Sequence, residues 1–539
     1  MENALPNLED YFPLEQPREK QVRALGFIQR KVAEGMRHVI LEAPTGLGKS
    51  ALGMTSCLWA GSTPLEGASG GYYLVTQKLL QDQLERDFGK FVNVYKNTGA
   101  LLKSATDYPC QKYGNCRVGG QQQKNQRCAQ KASNDCPYSH AYNMFASRPI
   151  AVTNYPYFFT ERTFVKKLPA RQVLVMDECH SIERQILGFV ELRADNKSLE
   201  DWAPTLRPFP VLLELDDFAK WARKLYLPSL TARLEFKRDE TNGSTDAHKQ
   251  RELQDLESHV GKVARALASI EAEPDNWVYW QESTDEGMAS IAKPIEAGPY
   301  AADILTDNGD LRLYLSAYVG PKNVFCRSIG IDPDQTAYAT LNSSFPLANR
   351  PIHILPVGSM GRKSADQTLP ALLRRIDKIM NVHQDERGLI HVHSYKLGRA
   401  VYEHLMAGPH AGRILYPEKS AERVAMLMRH QKATIPTVLI SPSMTEGFSF
   451  DDDLARWQII AKMPYASLGD RQVVAKKDRD PEWYVLQTVS TFLQAAGRIV
   501  RSDTDHGVTY VLDSDFTTLY DRYHYFFPRW LTDAFQWHA

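Results

Sequence analysis

No apolar run of about 18 residues occurs in this 539-residue chain, so no transmembrane helix is expected. Excess charge is also lacking: Lys+Arg and Asp+Glu number 64 each. A nucleic-acid protein with that balance must gather its basic residues locally. Cysteine is sparse and odd in number, seven in all. The acidic stretch from Met1 to Pro17 has no signal-peptide pattern. An odd count in a long chain without an export signal suggests a reducing compartment. Repeats and long low-complexity segments are missing, and the Gln121-Gln122-Gln123 run is too short to matter. The length predicts two or more domains, and 43% hydrophobic residues suffice for their cores.

The stretch that organises the chain is Glu42-Ala43-Pro44-Thr45-Gly46-Leu47-Gly48-Lys49-Ser50. It follows an apolar run, Val39-Ile40-Leu41, that reads as a buried strand. It precedes Ala51-Leu52-Gly53-Met54, which can continue as a helix. That is the setting of a phosphate-binding loop. Glycines let the backbone turn its N–H groups toward phosphate oxygens, and the helix start adds partial positive charge. Thr45, Gly46, Gly48, Lys49 and Ser50 are the expected ATP contacts. Lys49 would reach the β/γ-phosphates and the Ser50 hydroxyl would ligate Mg²⁺. Upstream, a helix opening at Pro17 and running through Ala24, Ile28 and Val32 carries Gln21, either an adenine contact or part of a solvated helix start.

Further strands read from Tyr72-Tyr73-Leu74-Val75-Thr76, Ile150-Ala151-Val152-Thr153 and Val173-Leu174-Val175-Met176. The last runs into Asp177-Glu178-Cys179-His180. Acids at the carboxyl end of a buried strand can serve Mg²⁺ and water. Asp177 would hold the metal, and Glu178 would orient or deprotonate the attacking water. Between these motifs lie Cys110, Cys116, Cys128 and Cys136, with five, eleven and seven residues between successive members. No Cys-x-x-Cys knuckle is present, so an iron–sulfur cluster suits the four thiolates at least as well as zinc. Lys103, Lys112, Arg117, Lys124, Arg127 and Lys131 accompany them, with Asp107 the one acid there and Tyr108, Tyr113 and Tyr138 interleaved. Basic charge with aromatics is the composition of a single-strand nucleic-acid surface. Cys57, Cys179 and Cys326 read as buried structural thiols.

Gly-Leu-Gly-Lys-Ser with Asp-Glu-Cys-His resembles the superfamily 2 helicases, and the four intervening cysteines narrow the resemblance to their XPD/DinG iron–sulfur group. The resemblance covers nearly the whole chain. It implies an α/β fold of two RecA-like motor domains, parallel sheets flanked by helices. The first motor would span residues 1–345, with an iron–sulfur insertion at 100–145 and a helical arch insertion at 184–300. The second would span 346–539. In the arch slot, Phe218-Ala219-Lys220-Trp221-Ala222 and His248 to Ile270 carry helical patterns, with a polar break at residues 240–246.

Leu313-Tyr314-Leu315-Ser316-Ala317-Tyr318 is similar to the family's Ser-Ala-Thr motif, with Tyr318 in place of Thr. Residues 388–395 resemble motif IV; His391 and His393 there read as sheet-packing side chains. Met444-Thr445-Glu446-Gly447 resembles motif V, which makes Glu446 and Gly447 nucleotide contacts, but Ser449 stands where the family has Asp. Gln494-Ala495-Ala496-Gly497-Arg498-Ile499-Val500-Arg501 matches motif VI. On one helical face, Gln494, Arg498 and Arg501 would meet ATP across the cleft, Arg498 as the first choice of finger and Arg501 as the second.

The resemblance implies an ATP-dependent DNA helicase with ATP, Mg²⁺ and a 4Fe–4S cluster. It would act as a monomer on single-stranded DNA and forked duplex, moving 5′→3′, off the membrane, in the cytoplasm or nucleoid. A translocase that remodels protein–DNA complexes or RNA–DNA hybrids is the alternative enzyme. A scaffold with a degenerate ATPase is disfavoured by Lys49, Asp177, Glu178 and Arg498. About 17 residues precede the first motif, so no exonuclease domain is expected ahead of it.

Overall fold

The computed structural model describes residues 6–62, 69–89, 98–110, 114–115, 136–242, 244, 246–284, 287–442, 450 and 452–538. Its first sheet has seven parallel strands in the spatial order Thr336–Thr340, His38–Glu42, Leu311–Ser316, Val173–Asp177, Gly71–Val75, Ile150–Asn154 and Gly99–Leu101. Successive residues of a strand face opposite sides. Val39, Leu41, Tyr73 and Val75 accordingly join one core, and Ile40, Tyr72 and Leu74 join the other. Burial on both faces is why these strands read as unbroken apolar runs. Glu42 pairs with Ser316, and Leu315 with Asp177, so three functional segments end side by side.

The second sheet is also seven-stranded and parallel, in the order Ile414–Leu415, Val438–Ser441, Gly388–His391, Trp457–Ile460, Val508–Asp513, Ile352–Gly358 and Phe535–Trp537. The two RecA-like α/β domains are therefore present as separate parallel sheets.

Between Asp177 and Leu311 the chain builds a third core. Helices Leu227–Thr241 and Ala247–Ala272 flank the polar break and pack with Leu192, Phe218, Tyr226 and Val263. This segment is not wholly helical. Strands Leu192–Asp195, Gly287–Pro294 and Trp277–Thr284 form an antiparallel sheet at its base. The signal was a short alternation in which Trp277 and Tyr279 are buried beside half-buried Val278 and Trp280.

Cys110 and Cys136 are buried, and Cys136 Sγ caps helix Pro137–Ser147 by accepting from the Ser139 N–H at 3.4 Å. Cys116 and Cys128 lie outside the described residues, as do Lys112, Arg117, Lys124, Glu446 and Gly447. Among the described residues, no three His, Cys, Asp or Glu side chains gather as a metal site. No described helix is long and apolar enough to cross a membrane. Cys57, Cys179 and Cys326 are fully buried.

Candidate active site

A cavity of about 620 Å³ separates the two α/β domains, lined by the loop after Glu42, the end of strand Val173–Asp177 and residues 494–501. In the loop, Gly46 and Gly48 have φ of +82° and +83°, a conformation that glycine adopts without strain. Each is also hemmed in. A Cβ on Gly46 would stand 2.5 Å from the Phe345 ring, and one on Gly48 would stand 2.5 Å from Gln21 Nε2. Lys49 begins helix Lys49–Ser62, and its Nζ donates to the Ala43 carbonyl at 2.9 Å. Thr45 and Ser50 line the cavity beside it.

Gln21 is buried, and its amide is engaged with the loop: Nε2 donates to the Leu47 carbonyl at 3.0 Å, and Oε1 accepts from the Arg18 N–H at 2.8 Å. The solvated helix start is therefore excluded for this residue. Arg18 Nη1 adds a bond to the Gly46 carbonyl at 2.9 Å.

Asp177 Oδ2 accepts from the Tyr73 hydroxyl at 2.9 Å, and Oδ1 accepts from the Glu178 N–H at 3.0 Å. Tyr73 is fully buried and also meets Ser50, so one phenol ties together the two oxygen ligands expected for Mg²⁺. Burial and the Glu178 charge push the Asp177 carboxyl above the usual range, against Lys49 and Tyr73. Glu178 sits at φ +49°, a left-handed conformation uncommon for a residue with a Cβ. Burial would raise its carboxyl too, but the His180 hydrogen bond, with the charges of Lys49 and Arg501, outweighs burial and holds it low.

His180 connects the parts. Its Nδ1 lies 2.9 Å from Ser316 Oγ and 3.2 Å from Glu178 Oε2. Its Nε2 lies 2.7 Å from the amide nitrogen of Gln494, across the cleft. With that amide donating, Nε2 accepts and Nδ1 carries the proton toward Ser316 and Glu178.

Residues 494–501 depart from the helical expectation. Helix Pro481–Ala496 includes Gln494 but stops before Arg498 and Arg501. Gly497 caps it, donating to the Leu493 carbonyl at 2.9 Å, and the β-branched Ile499 and Val500 leave the helix to enter a core of the second domain. Both arginines line the cavity. The charge of Arg501 bears on Glu178, whereas that of Arg498 bears on the buried His391. His391 pairs with Gln458 at 3.1 Å and His393 with the Tyr465 carbonyl at 3.2 Å, as sheet-packing side chains.

Besides His180 and Tyr73, two further contributors had no role assigned from sequence. Glu42 Oε2 accepts from the N–H groups of Val319 and Gly320 and from the Tyr338 hydroxyl, at 2.8, 3.1 and 3.0 Å. It ties the strand before the phosphate loop to the segment after Ser316; burial raises its carboxyl and these bonds oppose the shift. A carboxylate ending an apolar strand was the available signal. Tyr318 is buried, and its hydroxyl donates to the Phe526 carbonyl of the second domain at 2.7 Å.

Comparison with known proteins adds to this geometry. Residues 376–534 match a family model described as helicase C-terminal domain, and residues 14–198 one described as type III restriction enzyme, res subunit. A solved XPD helicase is similar in fold over 97% of this chain and 100% of its own, at 17% identity and a TM-score of 0.62. XPD in its apo state matches over 92% and 96%, at 17% identity and a TM-score of 0.59. Xpd4 of S. tokodaii matches over 97% and 100%, at 13% identity and a TM-score of 0.58.

Proposed function

We propose that this chain, a superfamily 2 helicase of XPD/DinG type, uses ATP hydrolysis to move along single-stranded DNA, 5′→3′, and to part a forked duplex. The observation that carries the reading is the cleft itself, where Lys49, Asp177, Glu178 and His180 of one domain face Gln494 and Arg501 of the other. Lys49 would exchange the Ala43 carbonyl for the β/γ-phosphates. The hard oxygens of Ser50 and Asp177 fit Mg²⁺, which when bound supplies charge neutralisation at the phosphates. Glu178, held ionised, is suited to orienting the attacking water. Arg501, whose charge bears on Glu178, would stabilise transition-state charge, and Arg498 lines the same cleft. Glu446 and Gly447 would complete the nucleotide contacts. Gln21 has one amide hydrogen left for a base edge, and its placement supports the loop in either case.

Closure on ATP and release on hydrolysis would advance a monomer along one strand. Cys110, Cys116, Cys128 and Cys136 are the soft donors that would hold a 4Fe–4S cluster, and the two described members are buried. That group would supply the staple for a loop-rich segment too small to bury its own core.

The test is phosphate release with and without single-stranded DNA, followed by strand separation on forked DNA and on RNA–DNA hybrids. Stimulation and fork opening are expected; stimulation without strand separation would favour the remodeller instead. Iron analysis of anaerobically purified protein tests the cluster, and stoichiometric zinc without iron would overturn it.

A further inference from the structure

Away from the cleft, both domains meet the arch segment at a buried charge cluster. Lys476, on helix Arg471–Arg479, is 1% exposed. Its Nζ lies 3.1 Å from Glu183 Oε1 and also contacts Glu296 Oε2. Glu183 is on helix Ile182–Val190, directly after the His180 segment. Its other oxygen accepts from Trp483 Nε1 at 2.5 Å. Trp483 stands near the start of helix Pro481–Ala496, the helix that carries Gln494.

Glu183 and Glu296 mark the two stems of the arch. The small sheet at its base begins at Leu192, after Glu183, and its last strand ends at Pro294, before Glu296. One ammonium group therefore bridges the outgoing and returning chain. The same helix also binds backbone carbonyls of the sheet and of the turn that precedes it. Gln472 Nε2 donates to the Pro294 carbonyl at 2.6 Å, Arg471 Nη1 to that of Tyr279 at 3.2 Å, and Arg479 to that of Asp275. Positions 472, 476 and 479 fall on one helical face.

A buried ammonium is costly unless its partners are in place, and apolar side chains of similar volume would hold a static contact as well. What the charge adds is dependence on both stems at once. We propose that Lys476 is a positioning residue that locks both arch stems to the second motor, so that load on the arch reaches Gln494 and His180 through helix Pro481–Ala496. The functional half rests on the reading above of a nucleic-acid-driven motor; the lock itself does not.

Full-length wild type, K476M, K476R and E296Q are compared by two readouts. In ATP hydrolysis with and without a saturating single-stranded oligonucleotide, the stimulation factor should fall at least about 5-fold in K476M and E296Q. Basal rate and KM for ATP should stay within roughly twofold, and K476R should recover stimulation. In hydrogen exchange without nucleic acid, peptides covering 277–296 and 471–483 should exchange faster together in both variants, while helix Ala247–Ala272 stays protected. Unchanged stimulation with unchanged exchange would overturn the proposal, and so would an equal fall in basal and stimulated rates. If K476M fails to fold, E296Q carries both readouts, because it removes one partly exposed charge. A wild type that no oligonucleotide stimulates would refute the proposed function and leave exchange to decide the lock.

Discussion

Removing the Tyr318 hydroxyl should loosen the grip between the two motors. The phenol crosses from the first motor to the Phe526 carbonyl at 2.7 Å, and its ring packs with Val485, Leu486 and Val489 of the second. Tyr318→Phe keeps the ring and isolates the hydrogen bond. A buried carbonyl left without its donor costs about 1–3 kcal/mol. The bond exists only while the motors are docked, so the docked-to-open ratio should fall roughly 5- to 150-fold. On the proposed reading ATP is held by both motors, so the loss should appear in KM for ATP, with kcat at saturation reduced far less. Steady-state phosphate release over an ATP titration reads both. Unchanged KM would mean that docking does not limit ATP capture and would sink the argument. Tyr318→Thr, the residue of the related motif, should cost more, because the packed ring is lost as well.

Lys49→Ala should abolish hydrolysis and spare single-strand binding, read by phosphate release and fluorescence anisotropy; wild-type rates would sink the loop assignment. Glu178→Gln should bind ATP and slow hydrolysis ~10²–10⁴-fold, leaving the protein trapped on DNA; lost nucleotide binding would instead make Glu178 structural. Arg501→Ala should lower kcat ~10³-fold or more, as loss of a finger does, and Arg498→Ala should lower it less, with the opposite ranking in kcat restoring Arg498 as the finger. Binding should weaken as salt rises, and reversing Lys112, Arg117 and Lys124 to Glu should flatten that slope; an unchanged slope would place the DNA path away from the cysteine segment.

The parallel strands were legible because burial on both faces leaves near-continuous apolar runs, and residues 39–41, 72–75 and 173–176 have them. The loop after Glu42 and the Asp177-Glu178 pair stood out as candidates because phosphate and metal chemistry needs fixed residue types at a strand end, and the structure brings both to one cavity. Residues 494–501 were harder. Spacing of four and seven fits one helical face, yet Gly497 with two β-branched residues ends the helix at Ala496. The hairpin at the arch base was hidden because a short alternating run inside a segment of longer helical patterns carries little weight. The arch lock could not be read at all: Glu183, Glu296 and Lys476 come together only through tertiary packing, and each alone looks like a surface charge.

The contacts between the motors also have an order along one element. Helix Pro481–Ala496 meets the segment after Asp177 twice, through Trp483 on Glu183 and through Gln494 on His180. Eleven residues separate those positions, about 16 Å of helix. Two contacts that far apart on one rigid rod fix its direction as well as its distance from the partner. Near its first turn, Asp480 accepts both Arg327 Nε at 2.8 Å and Nη2 at 2.9 Å, a fork that resists rotation about the rod. Arg327 lies on helix Lys322–Ser328, past the Ser316 segment that His180 touches at the other end. A shift at Gln494 therefore cannot be absorbed by the rod turning freely. It must either break a contact at Glu183 or Arg327 or carry them along. That constraint is what would let a change of a few tenths of an ångström at the phosphates become a movement of a whole domain.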